Sequence, residues 1–182
     1  YFILIFLFLF HLNLIDLIIF KDTFIYLVLV FIFLLILNFS NKLFFGDSGA
    51  YSLSFLTGFV LIKIYNLNSE ISPYFIILLL WYPCFENLFS ILRKTKFKAN
   101  PLKPDNKHLH QYLFIFLRKK FQLNKLISNN FASLLINFFN FLIFLIASKN
   151  INHTKIQLSL LLFCVIFYLT FYKVIKSRVN SL

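Results

Sequence analysis

The stretch Phe24-Ile25-Tyr26-Leu27-Val28-Leu29-Val30-Phe31-Ile32-Phe33-Leu34-Leu35-Ile36-Leu37 decides the fold. It shows no alternation of apolar and polar residues. A membrane β-barrel strand needs that alternation, because one face meets lipid and the other a polar lumen. An unbroken apolar run suits a helix in lipid, where the backbone bonds to itself. Tyr74–Trp81 reads the same way. Six segments come near the ~20 residues of a spanning helix: Tyr1–Phe20, Phe24–Phe39, Ala50–Asn66, Pro73–Leu92, Phe131–Ser148 and Ile156–Tyr172. The expected fold is all-α: a polytopic transmembrane bundle of about six spanning helices.

Composition agrees. Sixty per cent of the 182 residues are hydrophobic and mean hydropathy is +0.84, against roughly 45–50% apolar in soluble domains. A chain of this length has too little interior to hide that many apolar side chains from water. The 28 Phe stand beside many Ile, Leu, Lys, Asn and Tyr. They read as an AT-rich coding bias at lipid-facing positions. Cys84 and Cys164 lie in apolar runs and read as buried free thiols. No Met occurs, and Tyr1 opens directly in an apolar run without a basic leader. The expectation is one integral membrane domain over residues 1–182, forming the C-terminal part of a longer chain.

A net charge of +12 would suggest nucleic acid in a soluble protein. Here the cations fall between apolar runs. Arg93 to Lys125 holds ten Lys or Arg against Asp105 alone, and the tail adds Lys173, Lys176 and Arg178. Positive charge marks the cytoplasmic side of a membrane protein. This assigns the 93–128 loop and the C-terminus to the cytoplasm. Two spans earlier, the junction 41–48 falls on the same face.

Three polar stretches carry the candidate chemistry. In Lys42-Leu43-Phe44-Phe45-Gly46-Asp47-Ser48-Gly49, an acid at a membrane boundary is flanked by glycines that let backbone N–H groups approach an anion. A carboxylate there suits Mg²⁺ with substrate phosphates. The plainer reading is a helix start capped by Asp47 or Ser48. In Asn100 to Gln111, Pro101 and Pro104 set an extended run, and Asp105 can cap a helix carrying His108. His108 and His110 do not share a face of a regular helix, so phosphate binding or proton transfer suits them better than a metal pair. The alternative is a basic loop with incidental histidines. Tyr112–Leu117, ended by Arg118-Lys119-Lys120, reads as a helix in the membrane interface. In Trp81 to Asn87, Glu86 is an acid in an apolar segment and so a functional candidate. The plainer reading pairs it with Arg93 or Lys94.

Together these stretches resemble the polyprenyl-phosphate N-acetylhexosamine-1-phosphate transferase family, related to the phospho-MurNAc-pentapeptide translocase. Phe45-Gly46-Asp47-Ser48-Gly49 resembles the family's F-x-G-D-x-G-S element. Pro83 to Glu86 with Arg93-Lys94 resembles its P-x-x-D and following basic pair. Pro101 to His110 resembles its P-x-x-P-D-x-x-H-x-H-H element, which is the most specific. Ala50, Glu86, Asn106 and Gln111 depart from the usual Ser, Asp, Arg and third His. The resemblance covers most of Phe24–Leu117. The family's Asp-Asp pair and N-x-x-D-G element fall upstream of the match, and this chain has neither.

The resemblance implies transfer of a sugar-1-phosphate from a UDP-sugar to a polyprenyl phosphate such as undecaprenyl phosphate. UMP leaves, in a first step of cell-wall or lipopolysaccharide synthesis at the bacterial inner (plasma) membrane. It implies Mg²⁺ (or Mn²⁺) on Asp47, with His108, His110 and Asp47 catalytic. Lys42, Gly46, Ser48, Gly49, Arg93, Lys94, Asp105 and Lys107 would bind substrate. The partners are then a UDP-sugar, a polyprenyl phosphate, the membrane and a homodimer mate, with no nucleic acid. Without the upstream acids this chain alone would be inactive. The competing expectation is a non-catalytic membrane fragment or a transporter component.

Overall fold

A computed structural model of the chain describes residues 1–12, 14, 21–43, 46–96, 98, 100 and 107–181, with the backbone alone over 21–25. Among these residues there are seven helices and no strand. They are α1 (Phe2–His11), α2 (Lys21–Phe39), α3 (Gly46–Leu67), α4 (Pro73–Lys96), α5 (Leu109–Phe121), α6 (Lys125–Ser148) and α7 (Thr154–Asn180). The all-α polytopic expectation holds.

Four helices, α3, α4, α6 and α7, are long and apolar enough to cross a membrane. The shortest has 22 residues, about 33 Å against a hydrocarbon core of about 30 Å. Only 22–33% of each apolar window is buried within the protein. The outward faces carry side chains such as Tyr51, Phe55 and Phe138. That apolar surface needs lipid around it. The first expected span is helical to His11 and its remainder lies largely outside the described residues. The second is a 19-residue helix.

Several helices differ from their expected limits. α3 begins at Gly46 rather than Ala50, so Asp47 and Ser48 lie inside its first turn and do not cap it. α4 runs to Lys96, which puts Arg93 and Lys94 on a helix end rather than in a loop. α6 starts at Lys125 with Asn124 as N-cap, its side chain accepting from the Ile127 N–H at 2.8 Å. The region expected as a 93–128 loop therefore contains α5 and two helix ends. Cys164 is buried, but Cys84 is exposed on the outer face of α4, contrary to expectation.

The core lies where helix faces meet at three- and four-residue spacing: Phe75, Leu78 and Leu79 on α4, Ile143, Phe144 and Ala147 on α6, and Cys164 and Tyr168 on α7. Trp81 Nε1 donates to Asn140 Oδ1 at 2.8 Å, fastening α4 to α6. Such bonds between spanning helices contribute about 0.6 kcal/mol on average. Pro83 sits inside α4 and has no N–H for the carbonyl four residues back. That carbonyl, of Leu79, accepts instead from the Tyr1 hydroxyl at 2.8 Å. The helix is thereby continuous through the proline.

Contacts between helix ends give the bundle its two poles. At one pole the Ser72 N–H donates to the Ile151 carbonyl at 3.1 Å and the Ser72 and Thr154 hydroxyls meet at 3.1 Å. At the other, Asn130 Nδ2 donates to the Phe39 carbonyl at 3.0 Å, and Arg93 reaches the backbone of Lys107. The described parts of the polar stretches, around Lys42, Glu86 and His108, lie toward this second pole. α5 has 13 residues and is too short to cross. Its face of Leu109, Tyr112, Leu113 and Leu117 is buried against α6 and α7. Arg118, Lys119 and Lys120 stand exposed in its last turn, where cations suit the negative end of the helix dipole.

Candidate functional site

Glu86 is the organising residue of the second pole. It lies on α4, after the apolar run that opens that helix, and only 7% of it is exposed. A buried carboxylate must be fully hydrogen-bonded. Glu86 Oε1 accepts from the Leu109 N–H at 2.9 Å and stands 3.0 Å from His108 Nδ1. Its Oε2 accepts from the Tyr168 hydroxyl at 2.8 Å. The Leu109 N–H is one of the unpaired donors that open α5. The carboxylate thus sits at the positive end of that helix dipole. One side chain ties α4, α5 and α7 together. The pairing with Arg93 or Lys94 expected from sequence spacing is replaced by these contacts.

His108 is the N-cap of α5, in extended backbone. Its N–H donates to the Gln111 side chain at 3.1 Å. Asp105, expected both as this cap and as a substrate ligand, lies outside the described residues; the helix begins at Leu109, and His108 precedes it. Because His108 is not itself helical, its ring is not held to helical spacing. It stacks on His110 with centroids 5.6 Å apart and planes 17° apart. The two histidines, expected to diverge, form one surface. His110 is exposed by area, yet the protein mass around it removes enough water to hold its pKa below the usual value. Glu86 acts against that shift and His108 reinforces it.

Arg93 holds the chain that delivers His108. Its Nη1 donates to the Lys107 carbonyl at 2.6 Å and to the Tyr172 hydroxyl at 2.9 Å. Tyr172 in turn donates to the same carbonyl at 3.1 Å. The guanidinium also lies over the Phe89 and Tyr172 rings at 5.7 and 5.8 Å. Only a planar fork makes this set of contacts. Lys94 is half-buried on the same helix end, while Lys107 and Lys42 are exposed.

A cleft of about 800 Å³ opens beside His110. Asn41 from the α2–α3 connection, Gln111 from α5, and Lys125, Asn129, Ser133 and Asn137 from α6 line it, with Tyr82 from α4. Asn129, Ser133 and Asn137 recur every four residues and so form one stripe along α6. Asn137 Oδ1 is buried without a hydrogen-bond partner among the described residues. Such an atom suits a cleft that takes up water or a polar ligand. Below it, an apolar pocket of about 200 Å³ lies between Trp81, Leu113, Phe139 and Tyr168.

Asp47 is exposed in the first turn of α3. Gly46 before it has φ +60°, with open space where a Cβ would stand. A residue other than glycine is strained there. Among the described residues no group of three His, Cys, Asp or Glu gathers to hold a metal ion. A lone accessible carboxylate fits Mg²⁺, which keeps waters and takes phosphate oxygens from its substrate. It does not make a closed protein cage. Gly46, Ser48 and Gly49 share this first turn.

Tyr168, Tyr172 and the capping role of Gln111 went unread in the sequence. Two tyrosines four residues apart near the end of an apolar segment were the available signal.

The fold and this cluster define a polytopic α-helical membrane protein with a Glu–His–Tyr assembly around a buried carboxylate at one pole. No protein-family model, curated protein or solved structure matches the chain.

Proposed function

We propose that this chain carries the histidine-bearing part of a polyprenyl-phosphate N-acetylhexosamine-1-phosphate transferase. One observation supports the reading above others. The motif around Glu86 and the motif around His108, recognised separately, meet at 3.0 Å. Residues 22 apart gain such a contact only when two helices pack in one register. The cleft beside His110 offers polar side chains and the Lys125 cation at the same pole as Asp47.

In this reading an oxygen of the lipid phosphate attacks the phosphorus that bears the sugar. The bond between the two phosphates of the UDP-sugar breaks and UMP departs. The reactants are all anions, so fixed positive charge lowers the barrier. Mg²⁺ on Asp47 would neutralise the diphosphate. His108 and His110 would meet substrate phosphate from the α5 side. Lys42, Lys94, Lys107 and Lys125 would supply the field around it, and Arg93 would hold His108 in place. The pole that bears them faces the cytoplasm of a bacterial plasma membrane by its charge. The family's upstream acidic pair is not in this sequence, so the test uses membranes of the cell that makes the protein. Asp47→Asn should abolish Mg²⁺-dependent release of UMP from a UDP-N-acetylhexosamine. Near-normal turnover in that variant would remove Asp47 from the metal site.

One feature favours a second reading, a transporter component. The polar lining of the cleft continues to Asn137, about 18 Å along α6 from Lys125, and transporters bind solutes near the midplane. Solute uptake by the purified protein in vesicles, without UMP release, would support it.

A further inference from the structure

We infer that Glu86 is a positioning residue that fixes His108 as its Nδ1–H tautomer, so that Nε2 is the nitrogen presented to substrate. The inference rests on the transferase reading for what the nitrogen meets, but not for the tautomer itself. Donors and acceptors around the carboxylate fix the tautomer. Leu109 N–H can only donate, and it lies 2.9 Å from Glu86 Oε1. That oxygen therefore acts as an acceptor, and His108 Nδ1 is 3.0 Å from the same atom. A bare lone pair on Nδ1 would face oxygen lone pairs and be repelled, so Nδ1 carries the hydrogen. Tyr168, donating to Oε2 at 2.8 Å, satisfies the other side of the carboxylate and keeps it aimed. Leu109 N–H donates to one oxygen and the Tyr168 hydroxyl to the other, so the carboxylate is an acceptor on both.

A hydrogen bond at one ring nitrogen sets the state of the other. With Nδ1–H engaged, Nε2 is an acceptor in the neutral ring and a donor in the imidazolium. The same atom can thus take a proton or bind an anionic phosphate oxygen, and the ring need not turn between the two. Glu86 touches no substrate in this account. Its effect passes through His108, whose side chain is 21% exposed against 9% for Glu86.

The test is ¹⁵N NMR of histidine-labelled protein in detergent micelles at alkaline pH. The His108 signals are assigned by their loss in His108→Gln. We expect Nδ1 to resonate as a protonated, pyrrole-type nitrogen and Nε2 as an unprotonated, pyridine-type one. In Glu86→Ala the pattern should move toward the reverse tautomer. A wild-type His108 with its hydrogen on Nε2 overturns the inference, as does a wild-type pattern that Glu86→Ala leaves unchanged. Should Glu86→Ala fail to fold, the wild-type spectrum decides alone. No substrate enters the measurement. Absence of sugar transfer in membranes of the cell that makes the protein, with the Nδ1–H form present, would count against the transferase reading only, and transfer there with the Nε2–H form against the tautomer only.

Discussion

Glu86 Oε1 and His108 Nδ1 stand 3.0 Å apart, and that contact ties a helix long enough to span a membrane to the start of the short helix α5. The carboxylate also takes up the first N–H of α5 at 2.9 Å. α5 is thus pinned at its start by α4 and along its length by the burial of Leu109, Leu113 and Leu117. His110 and Gln111, one turn in, are carried to the edge of the polar cleft.

Tyr168 supplies the third bond to Glu86, at 2.8 Å in a buried setting. Bonds to charged groups contribute about 1.5–3 kcal/mol in water-soluble proteins, and those between spanning helices rather less. Tyr168→Phe keeps the ring against Phe85 and Phe89. It should lower unfolding free energy in detergent by about 1–2 kcal/mol with helix content unchanged. An unaltered melting temperature would show that Glu86 does not depend on this hydroxyl.

Arg93 holds the Lys107 carbonyl at 2.6 Å while lying over two aromatic rings. A lysine ammonium cannot reproduce the planar fork. In Arg93→Lys, the amides of His108 and Leu109 should exchange with deuterium about five- to thirty-fold faster, the equivalent of about 1–2 kcal/mol of local stability. Exchange at wild-type rates would mean that the start of α5 is held by Glu86 alone.

His110 gives the fold a dependence on acid. Loss of water to the surrounding protein mass keeps its folded pKa below the unfolded value of 6.5. Above that value the ring is neutral in both states and stability is unaffected. As pH falls through 6.5, the unfolded chain takes up a proton that the folded one refuses, and stability declines until the folded pKa is passed. Melting curves at about pH 7.5 and about pH 5.5 should separate more for the wild type than for His110→Gln. Equal separations would assign the acid sensitivity to other groups.

Much of the fold could be read from runs such as Phe24–Leu37, because a helix in lipid needs little beyond length and apolarity. The same criterion misplaced the start of α3. Gly46, Asp47 and Ser48 lower hydropathy, yet they form its first turn. It also misread Cys84, since hydropathy does not tell a lipid-facing side chain from a core one. A short helix was legible from Tyr112–Leu117 and the cations behind it, but not the burial of its apolar face against α6 and α7. The site was legible by residue type and not by partnership. Glu86 and His108 each stood out, but their meeting depends on how α4 packs beside α5. Tyr168, 82 positions from Glu86, gave no local sign. Spacing along one helix suggested Arg93 for Glu86, and long-range packing supplied other partners for both.

The central claim is that His108, positioned by Glu86, serves phosphosugar transfer to a lipid. The most direct test follows labelled sugar from a UDP-N-acetylhexosamine into undecaprenyl phosphate, in membranes of the cell that makes the protein. Wild-type and His108→Ala membranes are compared at equal protein levels. The account predicts a lipid-linked diphosphosugar and stoichiometric UMP with the wild type, and a loss of at least about a hundredfold with the variant. Lipid labelling that His108→Ala leaves intact, or none in either membrane, would contradict it.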